Sequence, residues 1–350
     1  MANVAAGQVD VDAALPRART AHPIRHLVIV RVAYGLLTLV LVSVIVFAAT
    51  QVLPGNAAYA VLGHTATPAS LHALEDELGL NQSPVTQYWH WVTGVLHGDF
   101  GTSLVAGGSG LGGGGAAKQS VSSLVGPRLV NSGFLVLLAG IVSTLVGVAL
   151  GLWAALRRDK FSDHVLSVGL LSVAALPEFV VGILLVLLFA SLVFHILPGV
   201  SVLGPSQRPW DHLNLLVLPV ATLTLVTVPY TFRMVRAATI EALESEYVEM
   251  ARLKGLSERR VLFRHALPNA VAPTIQVIGL NFLYLAGGIV VVEFVFAYPG
   301  IGQGLVNAVS DRDIPTIQFI VLVLAAFYVA MNILTDVIAL AASPRRRFAR

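Results

Sequence analysis

Six separated runs of apolar residues constrain this chain more than any other feature, because a hydrocarbon core ~30 Å thick demands about 20 such residues of a helix that crosses it. They are Val32 to Val52, Phe134 to Leu156, Val165 to Phe194, Leu213 to Val235, Ile275 to Phe296 and Ile317 to Leu340. The second carries no charge, the third contains Pro177 and Glu178, and the fourth contains Pro219 and Pro229. Lipid-buried helices tolerate proline when neighbours satisfy the freed carbonyls, so bends rather than breaks are expected in the fourth. With 56% hydrophobic and 12% charged residues among 350, the solvent implied is lipid. The fold class predicted is an all-α integral membrane protein with six transmembrane helices.

Lys and Arg are retained on the cytoplasmic side during insertion. Of 22 such residues, all but Lys118, Arg128, Arg208 and Arg312 fall ahead of the first span, after the second span, in or after the last turn of the fourth span, and in the C-terminal tail. Both termini are therefore expected to be cytoplasmic. The pI near 9.3 follows from that topology and gives no support to nucleic-acid binding. Residues 1–26 read as a polar cytoplasmic tail, 27–342 as the membrane domain and 343–350 as a basic tail. The first span exceeds the ~7 to 15 residues of a signal-peptide core, so an uncleaved anchor is expected. With no Cys, disulfides, thiolate metal sites and cysteine nucleophiles are excluded.

Between the first two spans, residues 54–130 form the longest hydrophilic stretch, with an amphipathic helix expected near Ser70 to Leu78, between Pro68 and Gly79. The glycine-rich run 107–115 reads as a flexible linker. It is not a phosphate-binding P-loop, because Lys118 follows two alanines instead of a glycine. Any ATP used must be bound by another chain.

The segment 236–274 carries the most information. Leu243, Tyr247, Met250 and Ala251 recur at helical spacing and predict one apolar face on a first short helix. Lys254 in its last turn and Gly255 beyond it make a C-terminus. Ser257 can cap a second helix with Glu258 in its first turn, and Pro268 closes the segment. A helix lying on anionic lipid is one reading. The acidic residues Glu241, Glu244, Glu246 and Glu249 would be repelled there and favour a protein groove.

Glu249, Ala251, Gly255, Leu267 and Pro268 match Glu-Ala-Ala, three residues, Gly, nine residues, Ile-x-Leu-Pro, with Met250 in place of an Ala and His265 in place of the Ile. That pattern resembles the permease subunits of binding-protein-dependent ABC importers, and the wider string resembles their dipeptide and oligopeptide branch. Leu53-Pro54-Gly55, Gly98-Asp99-Phe100-Gly101, Glu293, Phe296, Pro299-Gly300, Gly302, Arg312-Asp313, Pro315, Asn332 and Asp336 agree with it. Asn56, Ser343 and the glycine run depart from it. The resemblance covers roughly residues 28 to 347.

The resemblance implies a type I ABC importer permease in the bacterial inner membrane. Its implied partners are a second homologous permease, two cytoplasmic ATPases using ATP and Mg, and an extracytoplasmic substrate-binding protein. This chain itself would bind no cofactor and catalyse nothing. Glu249, Ala251 and Gly255 would be docking and hinge positions against an ATPase, and Leu267 and Pro268 the exit toward the fifth span. A glycine hinge permits a tight angle and a small alanine a close approach.

A charge at mid-depth costs ~2.5 to 3.5 kcal/mol on insertion scales, so Glu178 beside Pro177 is a translocation-pathway candidate, with local pairing as the plainer alternative. Glu293 is a further translocation-pathway candidate, expected to reach the outer interface, where a structural role outweighs substrate contact. Gly147 and Gly151 form a small-residue stripe for helix packing. Six histidines, His64, His72, His90, His97, His195 and His212, are expected outside. The branch includes nickel importers and imidazole suits that metal, but no tight His-x3-His pair occurs. A short peptide is the substrate implied, with nickel or glutathione as alternatives. A proton-coupled secondary transporter would need an internal repeat or several mid-depth ionisable groups.

Overall fold

The computed structural model describes residues 23–52, 67–77, 81–103, 119–204 and 207–342. In chain order the α-helices are α1 (Pro23–Val52), α2 (Pro68–Glu77), α3 (Pro84–Leu96), α4 (Val121–Leu156), α5 (Phe161–Ala174), α6 (Glu178–Val186), α7 (Leu213–Leu243), α8 (Glu246–Leu253), α9 (Glu258–Val261), α10 (Leu267–Val295), α11 (Ile301–Ser310) and α12 (Ile314–Ala342). Short π-helical stretches, Leu187–Leu192 and Leu262–Ala266, extend α6 and join α9 to α10. Among the described residues the β-structure is an isolated bridge between Thr102 and Ser120.

Five helices, α1, α4, α7, α10 and α12, are long and apolar enough to cross a membrane. The sixth span differs from the single helix expected over Val165 to Phe194. It is α5 and α6 meeting at 102°. Pro177 lacks an N–H and disfavours helical geometry at Leu176, so α5 ends at Ala174 and Pro177 becomes the N-cap of α6.

In α7, by contrast, Pro219 and Pro229 lie inside a continuous helix. Pro219 frees the carbonyl of Leu215, and that oxygen accepts the buried Ser201 hydroxyl at 2.6 Å. A satisfied carbonyl removes the reason to break.

The core lies where α4, α7 and α10 meet, around Leu135, Ala139, Leu216, Leu223, Leu285 and Ile289. The stripe on α4 makes this possible. A β-carbon on Gly147 would sit 2.7 Å from Thr231 Cβ, and one on Gly151 would sit 2.9 Å from Phe232 O. Both glycines therefore let α4 lie directly on α7.

α2 begins at Pro68, two residues before the expected start, and Thr67 caps it by accepting from the Ser70 N–H at 3.2 Å while Ser70 Oγ accepts from the Thr67 N–H at 2.9 Å. α3 was not foreseen, although Ser83 followed by Pro84 is a helix start and Ser83 Oγ accepts from Thr86 N. It packs along α1, with Tyr88 hydrogen-bonded to Ser43 and ring contacts to Phe47 from Tyr88 and Trp91. Leu53-Pro54-Gly55, Asn56, His64, Lys118, the run 107–115 and Ser343 lie outside the described residues.

Candidate coupling surface and membrane cavity

Helix α7 continues to Leu243, two turns beyond the expected boundary, and α10 begins at Leu267. The segment outside the long helices is thus 244–266, shorter than 236–274. Its first helix, α8, ends in a Schellman turn: Leu256 N–H donates to Ala251 O and Gly255 N–H to Arg252 O. Gly255 takes φ +74° there with open space around it, so the backbone angle alone selects glycine. Arg252 then bridges the turn. Its Nε donates to Glu258 Oε1 at 3.0 Å, its Nη2 to Glu258 Oε2 at 3.4 Å and its Nη1 to Leu243 O at 3.3 Å.

The two short helices share a small core of Val248, Ala251, Val261 and Ala266, continuous with Ala242 of α7 and Ala270 of α10. The apolar face expected from spacing is therefore divided. Ala251 is 4% exposed and faces its own chain, which corrects its expected place on a docking surface, while Met250 is 56% and Leu253 76% exposed. Glu249 is exposed beside them. Val248, which the spacing argument passed over, is wholly buried. Leu267 and Pro268 form the first turn of α10, directly after the π-helical stretch Leu262–Ala266.

Two contacts tie this end of the bundle together across long stretches of sequence. Arg158, in the turn after α4, donates to Glu244, and that carboxylate raises the Arg158 pKa. Arg236 of α7 grips Asp163 of α5 with two bonds, Nε to Oδ1 at 2.9 Å and Nη2 to Oδ2 at 2.6 Å. Asp163 is 1% exposed. Neither pair is visible in sequence spacing, since the partners lie 86 and 73 residues apart.

Above the Asp163–Arg236 pair, α5, α7 and α10 enclose a cavity of about 570 Å³ lined by Ser167, Tyr230, Arg233, Arg236, Asn281 and Tyr284 together with apolar side chains. Glu178 lies against Gly288, one turn along α10 from Tyr284. Glu178 is not mid-helix as expected; it opens α6 just past the break, half-buried, with Oε1 3.0 Å from where a Gly288 β-carbon would sit. Pro177 positions it by ending α5. The polar groups of three helices thus converge on one wall.

Glu293 is in a different setting. It does not reach the interface: it is fully buried near the opposite end of α10. Oε1 accepts from Ser132 Oγ at 2.5 Å, and Oε2 accepts from the Gly302 and Gln303 N–H groups at 2.7 and 3.2 Å. The carboxylate therefore caps α11, and a β-carbon on Gly300 would overlap it. Asn131 Nδ2 and the Tyr298 hydroxyl close the same turn by donating to Pro299 O and Asn131 O. Burial pushes the Tyr298 phenol above its ordinary pKa. Nearby, Asp313 accepts from Ser103 at 2.5 Å and Thr316 at 2.7 Å, tying the Arg312-Asp313 motif to the chain two residues past Gly101. Among the described residues no three His, Asp or Glu side chains are grouped to hold a metal ion.

Residues 147–348 match the family described as the binding-protein-dependent transport system inner membrane component, and residues 24–129 match its N-terminal companion. The chain belongs to that family. It is an ABC importer permease subunit, a multi-pass protein of the inner membrane. A Brucella abortus protein named as a peptide transport system permease is 35% identical over 92% of this chain and 99% of its own length. A glutathione transport system permease of Salmonella typhimurium is 33% identical over 89% of this chain and 95% of its own. The permease fold is shared with an inward-facing methionine ABC transporter structure, with a TM-score of 0.51 at 14% identity over 63% of this chain and 97% of the other.

Proposed function

We propose that this permease forms half of the translocation pathway for short peptides in an ATP-driven importer, and that residues 244–266 couple it to a cytoplasmic ATPase. The carrying observation is a two-helix unit with its own buried core that nevertheless turns Met250 and Leu253 outward beside Glu249. An exposed apolar patch ringed by charge marks a docking site. Arg252, Lys254, Arg259, Arg260 and Arg264 support a cytoplasmic position for this end, and with it for both termini. A second permease would complete the pathway, two ATPases would hydrolyse ATP with Mg, and an extracytoplasmic binding protein would deliver solute. This chain would do no catalysis.

Relatives named for peptides and for glutathione, itself a tripeptide, support a short peptide as cargo. Glu178 and the cavity beside it mark the pathway face, since charged side chains at membrane depth turn toward water or a partner and away from lipid. Glu293, bonded to the Gly302 and Gln303 N–H groups, serves in this reading as a structural cap. Reconstitution with the cognate ATPases and binding protein tests the reading. Glu249→Arg and Gly255→Pro should insert normally yet reduce ATP-dependent peptide uptake at least tenfold and weaken ATPase retention. Wild-type uptake and retention in both variants rejects the coupling role, and uptake driven by a proton gradient without ATP rejects the importer class.

A further inference from the structure

The cavity between α5, α7 and α10 has an electrostatic asymmetry that the pathway reading alone does not explain. Of the two arginines on its wall, Arg236 is neutralised by its double bond to Asp163. Arg233, one turn earlier and exposed to the cavity, bonds no carboxylate among the described residues. Around it stand further donors, the hydroxyls of Tyr230 and Tyr284 and the amide of Asn281. Asn281 Nδ2 is already committed to Ser143 at 3.0 Å. Beyond the lining, one turn along α10 from Tyr284, Glu178 lies against Gly288. The cavity therefore holds a cation toward the coupling loop, and an acid lies just beyond its opposite end.

Resting on the reading of this face as the pathway for peptides, we infer that Arg233 receives the free α-carboxylate of the passing peptide and that the Glu178 end receives its α-amine. Guanidinium groups pair carboxylates through two parallel N–H donors, a geometry that an amide or ester cannot match. The spacing agrees. Asn281 and Gly288 are seven residues apart on α10, about 10 Å at a helical rise of ~1.5 Å. An extended chain spans ~3.3 to 3.6 Å per residue, so two to three residues bridge the two charges. An arginine that served only as an interfacial anchor would be indifferent to what its ligand carries at the C-terminus.

Equilibrium dialysis decides between these. The purified permease–ATPase complex, without its binding protein, is dialysed against radiolabelled dialanine, trialanine and their C-terminal amides. The acids are expected to bind at least tenfold more tightly than the amides, with Arg233→Gln lowering the acids to the level of the amides and Arg233→Lys keeping part of the preference. Glu178→Gln should weaken the free peptides while leaving their N-acetyl forms unchanged. Equal binding of acid and amide by the unmodified complex overturns the inference without needing any variant to fold, and so does a preference that survives in Arg233→Gln. ATP-driven uptake of the same peptides by the complete importer is measured alongside. Uptake without acid preference sinks the carboxylate site and leaves the peptide reading standing, whereas no uptake of either peptide sinks the reading beneath it.

Discussion

The two ends of the bundle are fastened by different chemistry. At the end away from the coupling loop, Glu293 and Asp313 are buried and accept short bonds from hydroxyls and, at Glu293, from the first backbone N–H groups of α11. At the loop end the ties are arginine–carboxylate pairs: Arg236–Asp163, Arg158–Glu244, Arg252–Glu258 and, joining α1 to α12, Arg31–Asp336 at 2.8 Å. Three of these four are substantially open to solvent. Buried hydrogen bonds to a fixed backbone hold one geometry, while exposed pairs between long side chains are screened by salt and can re-form after a shift. The difference suits an element that is pulled at one end and held at the other.

The sharpest way to break this comparison is Glu293→Ala. It strands the Ser132 hydroxyl and two backbone N–H groups, and hydrogen bonds to charged acceptors contribute ~1.5 to 3 kcal/mol each. A loss of about 3 kcal/mol, read as the largest fall in detergent melting temperature of this series, is expected. Asp163→Ala comes next. It leaves Arg236 without its partner, and because that side chain is 28% exposed, the usual cost of breaking a buried pair is discounted to about 2 kcal/mol.

Gly255→Ala meets no neighbour and should cost about 1 kcal/mol for the left-handed backbone alone, with ATPase retention falling before melting does. Arg158→Gln should leave the melting temperature unmoved, the pair being solvent-exposed. Melting scans at low and at ~1 M salt sharpen the contrast further: salt at that strength screens beyond ~3 Å, so it should erase the effect of Asp163→Ala only in part and that of Glu293→Ala not at all.

Hydrophobic run length made the spans legible, and the Gly255 turn was legible because lysine followed by glycine ends a helix in a recognisable way. Packing decided the rest. Pro219 is absorbed by α7, whose freed carbonyl meets Ser201, whereas Pro177 stands at the break between α5 and α6, where Leu171, Leu176 and Phe179 are exposed. Glu293 read as an interfacial residue because nothing in its own span announces that α11 folds back over it. Period-counting gave α8 its apolar face but could not say which apolar residues turn inward. Val248 and Ala251 do, because only the small spaces beside Ala242 and Ala270 accept them. The Asp163–Arg236 grip joins residues that no periodicity relates.

The Arg252 bridge and the private core of 244–266 carry a consequence for interchangeability. A loop whose two helices are clamped to one another, and whose junctions with α7 and α10 are alanines, is a self-contained cassette. Transplanted into a permease of another importer with alanines at the same two junctions, it should bring its own ATPase preference with it, so that the choice of motor becomes separable from the choice of cargo.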